Sequence, residues 1–428
     1  MTAFRLGIAG LGTVGAGVVA QVARHPDLLA ARAGRPVVIT AVSARNRGRD
    51  RGVALAPFAW EDDPTRLALR DDVDCVVEVI GGSDGPAKAL ADAAIGAGKH
   101  MVTANKAHIA HHGAALAEAA DANRVAVRCE AAVAGGIPIL KALGEGLAGN
   151  AIARVYGVLN GTCNYILTEM ARTGRDYAEV LAEAQRLGYA EADPSFDVEG
   201  IDAAHKLAIL AALAFGTRID FEGVVTEGIG RISRADIETA RDMGYAIKLL
   251  GLAALSEDGL EQRVRPCMVP LESEIGALPG VTNAVMLEGD AVGRIALTGP
   301  GAGAGPTASA VVADVVDLAR GRRDPLFGRP AARLGAAPRL AHGAEHSPYY
   351  LRFLLLDQPG ALAALASALG AAGVSIHRMR QYGRGAEAVP VVIVTHDARR
   401  DAIDTALGRI ASLPVSAAEP VAIRIEEI

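Results

Sequence analysis

Over the first 135 residues, short apolar runs alternate with Ala-rich stretches whose apolar positions recur at helical spacing. Residues 4–9, 37–42, 75–80 and 100–103 read as buried parallel strands, with helices at 86–97 and 107–122 between them. That βαβ rhythm predicts a doubly wound sheet. From 136 to 305 the periods mix. Helices are predicted near 139–147, 164–173, 177–187 and 201–215, and strands near 154–159 and 294–298, which makes an α+β domain.

A glycine-rich hinge follows at 299–305. The segment 306–320 then sets Val311, Val312, Val315, Val316 and Ala319 on one apolar stripe, predicting a helix that returns to the first domain. Residues 321–347, rich in Pro, Arg and Gly, read as a linker. A new unit spans 348–428: strand 349–356, a turn at Asp357-Gln-Pro-Gly360, helix 361–372, strands 375–381 and 388–395, helix 399–410 and strand 420–425. This βαββαβ order predicts a ferredoxin-like domain.

A chain of 428 residues exceeds one ordinary core, in keeping with such a division. With 43 Lys+Arg against 49 Asp+Glu the formal net charge is −6, so no electrostatic footprint points to nucleic acid or an anionic membrane. No apolar run approaches the ~20 residues of a membrane-spanning helix. The N-terminus shows no basic n-region or cleavage site, so no signal peptide is expected. Cys75, Cys129, Cys163 and Cys267 are scattered, without CxxC or zinc-like spacing, and read as reduced, buried thiols. The expectation is a soluble, cytoplasmic protein.

Gly10-Leu-Gly12-Thr13-Val14-Gly15 ends the first strand and opens a helix, the context that a dinucleotide-binding loop needs. The first glycine makes the tight turn, the second lets the backbone approach a pyrophosphate, and the third allows close helix–strand packing. Alone, the motif is an ordinary glycine-rich turn. At residue 10, within a βαβ series, it predicts a Rossmann-type domain for NAD or NADP. No carboxylate ends the second strand to take a ribose hydroxyl. Arg45 and Arg47 stand there instead and favour NADP, whose 2′-phosphate they can meet.

Hydride exchange with a carbonyl needs a cation where the alkoxide develops. Two lysines stand out. Lys106 follows Thr103-Ala-Asn105, just past the C-terminal end of a predicted strand, the edge where such sheets bind ligands. Lys206 lies four residues after Asp202 on a predicted helix, so the two share a face. Taken alone, that pair reads as a surface salt bridge. Upstream, Glu191, Asp193 and Asp197 concentrate carboxylates in one turn, suited to a substrate ammonium.

Several motifs, in this order, resemble the homoserine dehydrogenase family. They are the glycine loop, Thr103-Ala-Asn-Lys106, Glu130-Ala-Ala-Val-Ala-Gly-Gly-Ile-Pro138, Asn160-Gly-Thr-Cys-Asn164, Gly188-Tyr-Ala-Glu-Ala-Asp-Pro194 and the run from Asp197 to Lys206. The resemblance covers residues 1–320, and the C-terminal unit, with its DQPG turn, resembles an ACT domain. It implies the reversible NAD(P)H-linked reduction of L-aspartate 4-semialdehyde to L-homoserine, on the way to threonine and methionine. Lys206 matches the proton donor, and Lys106 the lysine between cofactor and substrate. Two such ammonium groups would depress each other's pKa. Glu191 and Asp202 match residues that hold the substrate's amino end, with Asp197 and Thr162 close by. Ser83 would touch the nicotinamide side, and Gly303 would close over the cofactor. Glu130, Val133, Gly135 and Ile137 match a sodium site, chemically one carboxylate plus backbone carbonyls. The resemblance further implies a homodimer through the middle domain, which ACT pairing could raise to a tetramer. Threonine is the effector it suggests at a paired ACT interface.

Other features invite other readings. Cys163 suggests a thiol nucleophile, but no partner base stands beside it. His108, His111 and His112, without a third ligand on their helix face, read as solvated helix residues rather than a metal site. Trp60 reads as packing. Two rival functions stay open: another amino-acid-like dehydrogenase, and a cofactor-bound sensor that signals through its C-terminal unit. Glu191, Asp202 and Lys206 argue against the first, and Lys106 and Lys206 against the second.

Overall fold

The computed structural model describes residues 2–381 and 387–428. Its first sheet has six parallel strands: β1 (Phe4–Ala9), β2 (Val37–Ser43), β3 (Ala59–Glu61), β4 (Cys75–Glu78), β5 (His100–Thr103) and β6 (Val127–Arg128). Leu6, Ile8, Val76 and Val77 are wholly buried, because helices cover both faces of the sheet. These helices are α1 (Thr13–Arg24), α2 (Pro26–Ala33), α3 (Pro86–Gly96) and α4 (Lys106–Asn123). The strand order β3-β2-β1-β4-β5-β6 reverses between β1 and β4. A crevice opens at the carboxyl ends of strands where such a reversal falls.

Short α5 (Ile139–Lys141) leads into the second domain. There β7 (Ile152–Val158), α6 (Gly161–Thr173), α7 (Tyr177–Arg186), α8 (Ser195–Val198) and α9 (Ile201–Phe215) precede β8 (Val225–Thr226) and α10 (Arg234–Asp242). Four long strands follow: β9 (Tyr245–Ser256), β10 (Gly259–Pro270), β11 (Thr282–Gly289) and β12 (Gly293–Pro300). Only the last of these is foreshadowed in the sequence. β9 is apolar on both faces and buried through most of its length, so it lacks the alternation that marks a half-exposed strand. α9 is apolar nearly all round, and Ala203, Ala204, Leu207, Ala208 and Leu210 have 1% exposure or less. Asp202 and Lys206 therefore lie on a core helix, not on the surface that their spacing suggests.

α11 (Ala304–Ala319) returns to the first domain, with Val311, Val312 and Val315 buried in the core of β1. It begins a few residues before the expected start. Residues 321–347 are packed down rather than free. Phe327 and Leu334 are buried, and Leu260 exchanges main-chain hydrogen bonds with the segment at Pro338 and Leu340. Ala331 is buried beside them, and Arg339 donates to Asp220 at 2.7 and 2.6 Å, so this Pro- and Arg-rich stretch is docked by apolar and polar contacts together.

The C-terminal unit contains β13 (His346–Ser347), β14 (Tyr349–Leu356), α12 (Ala361–Ala371), β15 (Ile376–Gln381), β16 (Ala388–Thr395), β17 (Ala398–Arg399), α13 (Arg400–Ala411) and β18 (Val421–Ile425). It is not a detached module. β18 pairs in parallel with β10, Cys267 opposite Arg424 and Met268 opposite Ile425. One ten-stranded sheet results, ordered β12-β11-β7-β9-β10-β18-β14-β16-β15, with β8 beside β10. Charges line the seam. Glu426 accepts from Arg154 at 2.9 Å and Arg424 at 2.5 Å and also pairs with Arg263. On α10, buried Asp236 accepts from Arg352 Nε at 2.6 Å and Tyr350 Oη at 3.0 Å. Among the described residues, no helix is long and apolar enough to cross a membrane.

Candidate active site

The glycine loop sits at the sheet's switch point. Gly10 has φ 95°, and a Cβ on Gly15 would overlap Gly10's carbonyl oxygen, so both positions require glycine. Gly12 faces open space. Among the described residues no side chain caps α1, whose first residues are Thr13 and Val14, so its leading N–H groups point at that opening. A cavity of about 470 Å³ there is lined by Gly10, Gly12, Ser43, Arg45, Arg49 and Arg51 among others. Arg51 Nε donates to Leu11's carbonyl at 3.1 Å, and Arg47 and Arg51 each lie 5.7 Å from the Trp60 ring centroid. Trp60 thus supports two arginines of this loop, beyond plain packing. Open backbone, an uncapped helix and nearby cations fit a dinucleotide.

A second cavity of about 690 Å³ contains Gly81, Gly82, Ser83, Lys106, Phe196 and His205 in its lining. Glu78, unnoticed in the sequence, organises its wall. Its buried carboxylate accepts from Ile80 N at 2.7 Å, Gly81 N at 3.2 Å and Thr103 Oγ1 at 2.6 Å. Thr103 Oγ1 accepts from Asn105 N, Asn105 Nδ2 donates to Gly82's carbonyl at 2.7 Å, and Asn105 Oδ1 caps α4 at His108 N. These bonds fix the start of α4, and with it Lys106. The one available signal was a carboxylate ending an apolar strand. Ser83, half-buried, donates to Asp84 at 2.7 Å.

Two lysines meet on one carboxylate. Lys106 Nζ lies 3.1 Å from Asp202 Oδ1, and Lys206 Nζ donates to Asp202 Oδ2 at 2.6 Å and to Leu159's carbonyl at 2.8 Å. The anion stands between the ammonium groups, so the direct lysine–lysine repulsion expected from the sequence is screened. Asn160 Nδ2 donates to Asp202 Oδ2 at 2.9 Å and Asp197 Oδ1 at 2.7 Å, while its Oδ1 caps α6 at Cys163 N. Burial pushes the Asp202 carboxyl up. Lys206 and Lys106 outweigh that and hold it well below the usual carboxylate range. Asp197 is shifted the other way, raised by burial and by the charge of Asp202. Thr162 Oγ1 donates to Tyr189's carbonyl at 2.7 Å. Glu191 is exposed and does not line the second cavity, and its main-chain carbonyl accepts from Gln185 Nε2 at 3.0 Å.

Other expected residues fall out differently. The Glu130 carboxylate is committed to the N–H groups of Leu140 and Lys141, at 2.9 and 2.8 Å. Burial and neighbouring Asp314 push it up to about 7. The adjoining turn has left-handed Ala134 (φ 53°) and Gly135 (φ 42°). What Val133, Gly135, Ile137 and Glu130 offer a cation is therefore chiefly main-chain oxygen. Gly303, φ 121°, leads into α11. The histidines are not uniformly solvated: His108 is buried, His112 pairs with Asp84 at 3.0 Å, and exposed His111 packs on His205 and Phe221. Cys163 donates to Asp197's carbonyl at 3.2 Å. Its thiol is pushed well up by burial and then by Asp197 and Asp202, so it stays protonated and is a poor nucleophile. Among the described residues no cluster of three or more His, Cys, Asp or Glu side chains could hold a metal ion.

A glycine loop at a switch point, beside two lysines on a buried aspartate, defines an oxidoreductase that uses NAD or NADP. Residues 10–130 match the family model for the homoserine dehydrogenase NAD-binding domain, 138–316 that for homoserine dehydrogenase, and 349–414 the ACT domain. Homoserine dehydrogenase of Pseudomonas aeruginosa is 44% identical over 100% of both chains. That of Corynebacterium glutamicum is 40% identical, covering 99% of this chain and 96% of its own. The crystal structure of a homoserine dehydrogenase from Thiobacillus denitrificans superposes with a TM-score of 0.94 at 43% identity, over 100% of this chain and 99% of the other. One from S. aureus gives 0.78 at 30% over 100% of both. The chain belongs to the homoserine dehydrogenase family.

Proposed function

We propose that the chain interconverts L-aspartate 4-semialdehyde and L-homoserine, with Lys206 as the proton donor. The carrying observation is how Lys206 spends its hydrogens. Of three N–H bonds, one goes to Leu159's carbonyl and one to Asp202, which leaves the third for a substrate oxygen. The glycine loop and the uncapped start of α1 would hold the dinucleotide, whose nicotinamide would supply the hydride for the aldehyde carbon. As charge builds on the carbonyl oxygen, Lys206 hands over its proton, and Lys106 adds a second cation from the cofactor side. Glu191 and Asp202 take the substrate's ammonium, helped by Asp197 and Thr162. Because Glu191 is exposed and outside the cavity lining, this role requires its turn to move inward. Ser83 and Gly303 would flank a bound nicotinamide. Appearance of reduced nicotinamide when L-homoserine is added to wild type tests the reading. Cofactor binding without homoserine turnover would sink it.

NADP is the preferred cofactor in this reading, held by Arg45 beside the glycine loop through its 2′-phosphate. Arg45→Ser is expected to lower kcat/KM with NADP by about ten- to a hundredfold, the scale of a bond to a charged group. With NAD it should change little. Equal losses with both cofactors would remove Arg45 from phosphate recognition. A sodium ion in the Glu130–Val133–Gly135–Ile137 turn is proposed as a brace between the two domains, and activity compared in sodium and in a large organic cation tests it. The C-terminal domain is proposed to bind threonine and to pair with a second copy in a homodimer or tetramer. Inhibition by L-threonine and the sedimentation coefficient check those two points. The cytoplasm is the proposed location, and cell fractionation checks it.

A further inference from the structure

Phe196 is 44% exposed, although it is large and apolar. It stands on α8, between Glu191 and Asp197, where it lines the cavity with Lys106. The Lys106 ammonium lies 5.7 Å from its ring centroid, within cation–π reach. Behind it the rings continue. Phe196 meets His205 at 5.5 Å, His205 meets Phe221 at 4.4 Å, and His111 packs on His205 at 5.3 Å and on Phe221 at 4.8 Å. His111 belongs to α4 of the nucleotide domain, so this stack crosses the cleft. His205 is buried, and among the described residues neither of its ring nitrogens has a hydrogen-bond partner. Burial, with His111 and Lys106 nearby, pushes it down to about 4, so at neutral pH it is an uncharged ring rather than a third cation beside two lysines.

Lys106 carries its charge on a flexible stem and its side chain is 31% exposed, and among the described residues Asp202 is the one carboxylate that pairs with it. We propose that Phe196 is a positioning residue for Lys106, its ring, seated on the stack with His205, holding the ammonium against Asp202 at the cofactor side of the cavity. This rests on the role given to Lys106. The test is a double-mutant cycle with Phe196→Leu, Phe196→Tyr and Lys106→Met, read as kcat and KM for homoserine. Phe196→Leu is expected to lower kcat by about three- to thirtyfold with KM little changed, the range of a partly exposed to desolvated cation–π contact. Phe196→Tyr restores kcat, and Phe196→Leu adds no further loss in the Lys106→Met background. A harmless Phe196→Leu, a loss that persists without Lys106, or failure of tyrosine to rescue overturns the proposal while leaving Lys106 in its role. A fully active Lys106→Met overturns the role of Lys106 itself, and the positioning proposal with it.

Discussion

Lys206→Met is expected to lower kcat by about 10²–10⁴-fold, the usual contribution of a positioned general acid. Methionine keeps the length and apolar stem of the side chain and removes its N–H groups. The rest of the site has reason to stay in place. Asp202 retains Lys106 on one oxygen and Asn160 on the other, so its buried charge keeps partners. Lys206 is remote from the glycine loop in sequence, and the crevice around Gly12 is built by other residues. Steady-state homoserine oxidation and a fluorescence titration with NADPH check both halves. A loss smaller than tenfold would mean that Lys106 or solvent delivers the proton. A matching loss of cofactor affinity would mean that the cleft has collapsed.

Asp236→Ala is expected to destabilise the protein by about 3–5 kcal/mol, because it strips a buried charge from its partners. Asp236 is fully buried, accepts from Tyr350 and Arg352 of β14, and closes a capping box with Ser233 at the start of α10. The cap alone contributes about 1 kcal/mol. The larger part is the guanidinium of Arg352, left at an inter-domain seam with no anion. Urea unfolding measures the change. The double variant Asp236→Ala with Arg352→Met is expected to recover much of it, since the unpaired charge leaves with the arginine. An unchanged midpoint in the single variant would show that Arg352 reaches solvent at no cost.

The nucleotide domain is the most legible part of the sequence. Its strands are apolar runs punctuated by Gly and Pro, and the bounds of β1 and β5 coincide with expectation. β3 escapes because three residues, Ala59 to Glu61, make no period. β9 and β10 escape because burial on both faces erases alternation. Long-range pairing is the deeper limit. Nothing in Val421–Ile425 says that it will sit beside β10, so the C-terminal unit reads as separate when its sheet is shared. In the site, the two lysines and Asp202 stand out as residue types, yet their depth does not, since an i,i+4 pair is ordinarily at the surface. Glu78 and Asn105 act only through bonds to loops, and Phe196 through its place over Lys106. Such roles depend on geometry that spacing alone does not carry.

Aspartate semialdehyde reduction with nicotinamide-deuterated NADPH, compared between wild type and Lys206→Met, tests the central claim most directly. If Lys206 delivers the proton as the hydride moves, the slowed variant is limited by chemistry and shows a clear primary isotope effect on kcat, no smaller than that of wild type. A variant equally slow but with no isotope effect would place its defect in binding or release, and would contradict the assignment of Lys206 as the proton donor.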